Sequence, residues 1–325
     1  IIKKELLIMY IVDMHCDTLL SLDENIHLRN NNLDIDLIKM KQSNYLLQNF
    51  AIFTNYDKIK DRVPYVLKNI NKFYKEIEAN KDLIKQVFSY KDIEENKLMS
   101  AMLTLEEGDV INDDLDILEL YYRLGVRMIA LTWNFKNSIG SPNFTPNPDR
   151  YKMLRTLNTT DGLTPFGKEY IKKCNELGII IDVSHLGDKG FEDVLELSTK
   201  PIVASHSNAR AICDVARNLS DEMILKLHKN NGVMGMNFCE DFISNDSNGS
   251  VENIIKHIDH IKELGCIDNI GLGSDFDGIK KRKEMSDCSQ LDMLVNALRK
   301  HDYSEEEIEK ICYKNVLRVY KEVLK

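Results

Sequence analysis

The sequence predicts an α/β fold, a (β/α)8 TIM barrel, on three observations. Eight short β-branched or apolar runs alternate with amphipathic segments along almost the whole chain. No shift of composition divides the 325 residues, a length that single barrels of this kind commonly reach. Histidines and carboxylates gather where the apolar runs end, the face on which a barrel's loops converge. Residues 10–325 are therefore read as a single (β/α)8 barrel domain and residues 1–9 as an N-terminal extension, with Met9 an alternative start.

The strands are expected at 10–14, 48–54, 100–105, 126–132, 179–183, 201–205, 232–238 and 269–273. Helical spacing follows at 33–42, 61–79, 113–124, 164–177, 189–198, 220–230, 251–264, 288–301 and 304–324. In "DDLDILELYYRLG" the residues Leu115, Leu118 and Tyr122, with the nearby Ile117 and Tyr121, form one apolar stripe. Gly125 is placed to stop that helix. Thr164 followed by Pro165 reads as an N-cap and a first helical residue. The longest irregular stretch, "NFKNSIGSPNFTPNPDR", leaves the fourth strand and would lie over the convergent face, either functional or disordered.

Composition narrows the class. With 43% hydrophobic residues, 29% charged residues and a net charge of -9, the chain reads as an ordinary globular protein. The acidic balance argues against nucleic acid and anionic membrane as partners. The short basic run from Lys280 to Lys283 reads as a solvated loop. Seven scattered cysteines without a C-x-x-C pair fit reduced thiols, mostly core residues, and a cytoplasmic setting. No apolar run is long enough for a bilayer span.

The strand ends carry the chemistry. In "IVDMHCDTLL" strand alternation would turn Asp13, His15 and Asp17 to one side. Glu106 and Glu107 end the third strand, Asp182 and His185 the fifth, His206 the sixth, and Asp275 and Asp277 the eighth. Taken singly, each histidine is more readily a hydrogen-bonded core residue. Together, carboxylates and imidazoles buried at one spot are costly unless a cation compensates them. Imidazole and carboxylate without thiolate suit zinc, with Mn²⁺ or Co²⁺ as substitutes. Five ligands exceed one open catalytic site and match two metals sharing a carboxylate. Asp182 and Asp277 are open to roles in holding the ligands from behind or in shaping turns, and Cys16 faces away. His27, His228, His257, His260 and His301 read as surface or structural residues.

The motifs "DMHCD", "LTLEEGDVI", "LTPFGKE", "IDVSH", "ASHSNAR" and "GSDFDG", in this order from about residue 10 to the end, resemble the membrane dipeptidase (renal dipeptidase, peptidase M19) family. The resemblance implies a barrel metallopeptidase that binds two zinc ions and cleaves dipeptides through a metal-bridging water. It implies His15 and Asp17 on one metal, His185 and His206 on the other, and Glu106 between them. Asp275 would be the proton-carrying acid, and Arg217 would pair with the substrate's carboxylate. Tolerance of a D-residue at the C-terminal position is left open.

Two departures stand out. The family pattern is an acid followed by two glycines, and aligning Leu105 and Gly108 puts Glu107 where the first glycine would be. Where many relatives carry a histidine after "LT", this chain has Trp133 and Asn134, which take its place as candidate substrate contacts. An indole N–H donates one hydrogen bond and cannot become cationic. These departures keep a catalytically silent metal-binding barrel open as a rival. Another amidohydrolase-type enzyme, acting on a cyclic amide, lactone or phosphoester, is a second rival, but Asp17 stands where that class usually presents His-x-His. A soluble, bacterial-type relative is expected, with a small dipeptide as partner and a homodimer allowed.

Overall fold

The computed structural model describes residues 9–145 and 147–325, so of the expected N-terminal extension only Met9 falls within the described residues. Among them nine strands form: β1 (Ile11–Cys16), β2 (Tyr45–Phe53), β3 (Ile84–Gln86), β4 (Met99–Glu106), β5 (Val126–Ala130), β6 (Ile180–Asp182), β7 (Val203–Ala204), β8 (Val233–Met236) and β9 (Ile270–Leu272). Every pairing is parallel, in the order β2, β1, β9, β8, β7, β6, β5, β4, and β2 returns to β4 to close the ring. Eight strands thus make the closed barrel, each near its expected position. β3, which the sequence reading lacked, pairs with Met99–Ala101, the lower part of the β4 edge whose upper part is taken by β5.

The helices follow the apolar spacing. Leu118 and Tyr121 are the buried face of Leu115–Arg123, and Gly125 ends that element at φ +90°. The Thr164 side chain accepts from Gly167 N and Pro165 begins the helix Pro165–Leu177. The segment expected as one helix over 304–324 divides into Glu305–Glu309, a π-turn at Lys310–Lys314, and Asn315–Val323. Periodicity cannot see one extra residue per turn, so the division was not legible.

Two apolar clusters hold the barrel. One draws Val12, Met14, Leu47, Met102, Met128, Ile180, Val203 and Val233 from seven strands, which can meet only inside the ring. Val316, Val319 and Tyr320 of the last helix join them as a stopper, and Asn49 Nδ2 donates to Tyr320 Oη at 2.6 Å. The other cluster packs helix faces against the outside of the strands. Burial of this kind contributes roughly 1.5–3 kcal/mol per large apolar side chain. The stopper closes the end opposite the strands' C-terminal ends, which leaves only those ends to be hollow.

The seven cysteines are free, and all but Cys239 are buried. No described helix is long and apolar enough to cross a membrane. One expectation needs correction: Arg282, in the run read as solvated, is buried. Its guanidinium donates to the carbonyls of Phe238, Gly249 and Glu284, which the turns there would otherwise leave unsatisfied.

Candidate metal centre and substrate cavity

Each predicted ligand sits at or just beyond the C-terminal end of a strand. Glu106 is the last residue of β4, and Asp17 follows β1 directly. His185, His206 and Asp275 lie within three residues of the ends of β6, β7 and β9. The backbone is strained around them: His185 and Asp275, with the neighbouring Glu107 and Asp277, have φ of +68°, +64°, +102° and +65°, where non-glycine residues are uncommon. Gly278 allows the closest approach, because a Cβ there would fall 2.1 Å from Asp17 Oδ2 and 2.6 Å from Asp275 Oδ1.

Glu106 is central. Its Oε1 lies 3.0 Å from His185 Nε2 and 3.5 Å from His206 Nε2, while Oε2 lies 3.6 Å from His15 Nε2. His15 Nε2 is also 3.5 Å from Asp17 Oδ2 and 3.8 Å from Asp275 Oδ1. Two groups of ligand atoms result, His15 with Glu106 and His206, and His15 with Asp17 and Asp275, each within 4.8 Å. His15 Nε2 and Asp17 Oδ1 are buried without a hydrogen-bond partner, an arrangement that costs free energy unless something further binds.

The imidazoles are turned by their second nitrogens. His185 Nδ1 meets Asn134 Oδ1 at 2.8 Å, and His206 Nδ1 meets Ser205 Oγ at 2.7 Å. Ser205 Oγ donates in turn to Asp182, which also accepts from Ser184 N and Ser205 N. Both rings therefore present Nε2 to the centre, as ligand histidines do. Burial, with the positive charges of Arg217 and His15, holds both well below the usual histidine range, so they are neutral donors. Burial alone would lower His15 as well, but Glu106, Asp17 and Asp275 push it up to about 10. Burial raises Asp275 to about 6 against the pull of His15, and it raises Glu106 well above the carboxylate range. Without a cation, protons must fill this cluster.

Asp13 does not join it. The β1–β2 register slips between Asp13 and Cys16, so strict alternation fails there. Asp13 instead accepts from His15 N, Ser274 N and Ser274 Oγ, tying β1 to the end of β9. Asp277 likewise accepts from Thr18 Oγ1, Asp34 N and Ile35 N.

A cavity of about 670 Å³ opens over the centre. Asp17, Glu106, His185, Arg217 and Asp275 line it, together with Phe53, Trp133, Asn134 and Phe144. Trp133 packs on Phe53 with ring centroids 4.7 Å apart. The long loop after β5 thus roofs the cavity, fixed by bridges between Pro142 and Leu186 and between Phe144 and Leu157. Arg217 is fully buried; it donates to His206 O at 3.0 Å and Ser207 Oγ at 3.2 Å, and its Nε has no partner. Among the described residues no carboxylate pairs with it within 4.0 Å. Sequence reasoning missed Asn237, whose Nδ2 donates to Asp275 Oδ2 at 3.0 Å. A polar residue ending the apolar run of β8 was the available signal.

The profile of the membrane dipeptidase family (peptidase family M19) matches residues 3–325. An uncharacterised protein in the pqqA 5′ region of Klebsiella pneumoniae is 36% identical over 236 residues, which cover 70% of this chain and 84% of that protein. Human dipeptidase 3 is 29% identical over 240 residues, 74% of this chain but 48% of its own length. Among solved structures, dipeptidase AC, a metallo peptidase of family M19, superposes with a TM-score of 0.88 at 28% identity, covering 98% of this chain and 99% of its own. A metallo peptidase from Rhodobacter sphaeroides, liganded with a phosphinate mimic of the dipeptide L-Ala-D-Ala, gives 0.87 at 27% identity, covering 97% and 99%.

Proposed function

The chain belongs to the membrane dipeptidase family, peptidase family M19, and on that premise we propose that it hydrolyses dipeptides at a two-metal centre. The observation that carries this reading is the split of Glu106, one oxygen toward His185 and His206 and the other toward His15. The donor set fits a pair of divalent ions: two neutral imidazoles, a third whose Nε2 lacks a partner, and a carboxylate, Asp17, with an unpaired buried oxygen. His15 and Asp17 would hold one ion, His185 and His206 the other, and Glu106 both. Bound there, zinc would lower the pKa of a shared water toward neutrality and polarise the peptide carbonyl, with Mn²⁺ or Co²⁺ as substitutes.

The chain's own residues supply the rest. Asp275 Oδ1 accepts the proton released in the attack and returns it to the leaving nitrogen, while Asn237 holds the other carboxylate oxygen. Arg217 offers a guanidinium with no carboxylate of its own and an unpartnered Nε, buried at the cavity where a substrate's C-terminal carboxylate can pair with it. A fixed cation in the same cavity as the centre favours short substrates whose free carboxylate lies near the scissile bond. Phe53, Trp133 and Phe144 exclude water and face the side chains. Trp133 and Asn134 line the cavity beside His185 and are the candidate donors to the substrate's carbonyl side. The ligand of the Rhodobacter sphaeroides protein, a mimic of L-Ala-D-Ala, supports including a D-residue at the C-terminal position.

Hydrolysis of a panel of dipeptides, L-Ala-D-Ala among them, before and after chelation and zinc reconstitution, tests the reading. Cleavage that disappears with the metal and returns as occupancy approaches two ions per chain is the expected result. A fully active protein holding less than one ion per chain would overturn the two-metal centre.

A further inference from the structure

Glu107 follows the central carboxylate, yet its side chain turns away from the cavity and is fully buried. At φ +102° it is strained in a way that glycine would relieve. A residue kept in such a conformation needs a compensating role, and its contacts supply one. Its Oε2 accepts from Trp133 N at 3.1 Å, and its Oε1 accepts from Asp109 N at 3.1 Å and from Asn137 Nδ2. The Asn137 amide cannot turn over, because its Oδ1 already accepts from Ile139 N at 2.9 Å and Gly140 N at 3.0 Å. Glu107 therefore meets three donors and no acceptor, which only an acceptor-only group satisfies. The segment it grips carries Asn134, whose Oδ1 sits 2.8 Å from His185 Nδ1.

We infer that Glu107 is a positioning residue: it clamps the Trp133–Asn137 turn so that Asn134 holds the His185 ring with Nε2 toward the metal centre. The inference rests on the reading of His185 as a ligand. It makes Glu107, which looked like a blemish in the motif, the first link of a chain running through the Trp133 backbone and Asn134 to His185.

The test compares the zinc affinity of full-length E107G, E107Q, N134A, E107G/N134A and H185A proteins, by competition with a chromophoric chelator, and records their thermal melts. E107G removes the clamp while relieving the backbone, so it should fold and bind zinc about tenfold more weakly, the lower end of what losing a ligand-orienting partner costs. E107Q, which sets an N–H against a donor, should weaken binding as well. The double variant should be no weaker than N134A, because both changes act through one contact. Parental affinity in E107G, or effects that simply add in the double variant, would overturn the inference. Should E107G not fold, E107Q decides by the same comparison. Unfolding of both would make the carboxylate a folding element and overturn it too. Parental affinity in H185A would remove the ligand assignment and this inference together, whereas weak binding in H185A beside parental binding in E107G overturns the inference alone.

Discussion

The floor and the roof of the cavity are built on different terms. The floor is made of strand ends: Asp17, Glu106, His185, His206 and Asp275 hang from five strands of one closed ring. Its side chains are buried except for the partly buried Asp275, its charges crowd together, and its backbone is strained at His185, Asp275 and Asp277. The roof is made of the loops after β5 and β8, which meet in an exposed ion pair between Arg150 and Asp241 at 2.6 Å. It presents rings, an amide and exposed charges such as this pair rather than a buried cluster of metal-ligating groups. A rigid ring can hold a costly constellation because its strands cannot yield, whereas a roof must let substrate in. Changes to the floor should therefore abolish the chemistry, and changes to the roof should alter only its reach.

The largest effect is expected at Glu106. Glu106→Gln turns one of the two facing oxygens into a donor, so zinc content should fall and activity should drop by more than about 10⁴-fold, beyond what loss of a general base explains. Metal analysis beside kinetics checks this; retained zinc with such a loss would show that Glu106 is not shared between two ions. Asp275→Asn comes next. It keeps the shape and loses the proton acceptor, so zinc and melting temperature should stay while kcat falls by roughly 10²–10⁴-fold. If the zinc goes as well, Asp275 belongs among the ligands.

Arg217 stands between the two regions, held from the floor by His206 O and Ser207 Oγ and facing the roof, with its guanidinium 5.4 Å from the Phe242 ring. Arg217→Ala should raise KM for free dipeptides by roughly 10–100-fold, the value of a charge-assisted hydrogen bond of about 1.5–3 kcal/mol. Lysine in its place should rescue in part, restoring charge without the fork. Dipeptides amidated at the C-terminus should be poor substrates for the unaltered protein. Equal cleavage of free and amidated substrates would take Arg217 out of the site.

The same contrast explains what was legible in the sequence. The floor could be read because strand ends are fixed by apolar runs, and a histidine or acid at such an end is conspicuous. Strict alternation misled only at Asp13, where the β1–β2 register slips. The roof could not be read that way. Trp133 and Asn134 drew attention through the family motif, but nothing in "LTWNFKN" says that Asn134 turns toward His185 or that Glu107 grips the Trp133 amide. Those contacts depend on where two loops fold back, and loop paths have no periodicity. Arg282 was misread for the same reason: a charge run looks solvated until the carbonyls it satisfies are in place.

The last prediction concerns how the roof is anchored, and it leaves activity at neutral pH untouched. His257 lies on the helix Val251–Glu263, fully buried, outside the cavity. Its Nδ1 accepts from Ala209 N at 3.1 Å and its Nε2 donates to Ile243 O at 2.8 Å, so it joins the β7 loop to the loop after β8. Only the neutral ring can do both, since protonation consumes the acceptor. Burial, opposed by the Ile243 carbonyl and helped by His260 and Lys256, lowers its pKa from 6.5 to about 4. The folded state thus refuses a proton that the unfolded chain accepts below pH 6.5, so stability is intact above that value and falls as pH drops toward 4. The full shift amounts to about 3 kcal/mol. His257→Gln can still accept and donate but cannot titrate. Subtracting its unfolding free energy from that of the parent across pH 7.5–4 cancels every other ionisation, including those of the floor. The difference should be flat above pH 6.5 and fall as pH drops below it. A flat difference throughout would mean that acid loosens this protein through its floor and not its roof.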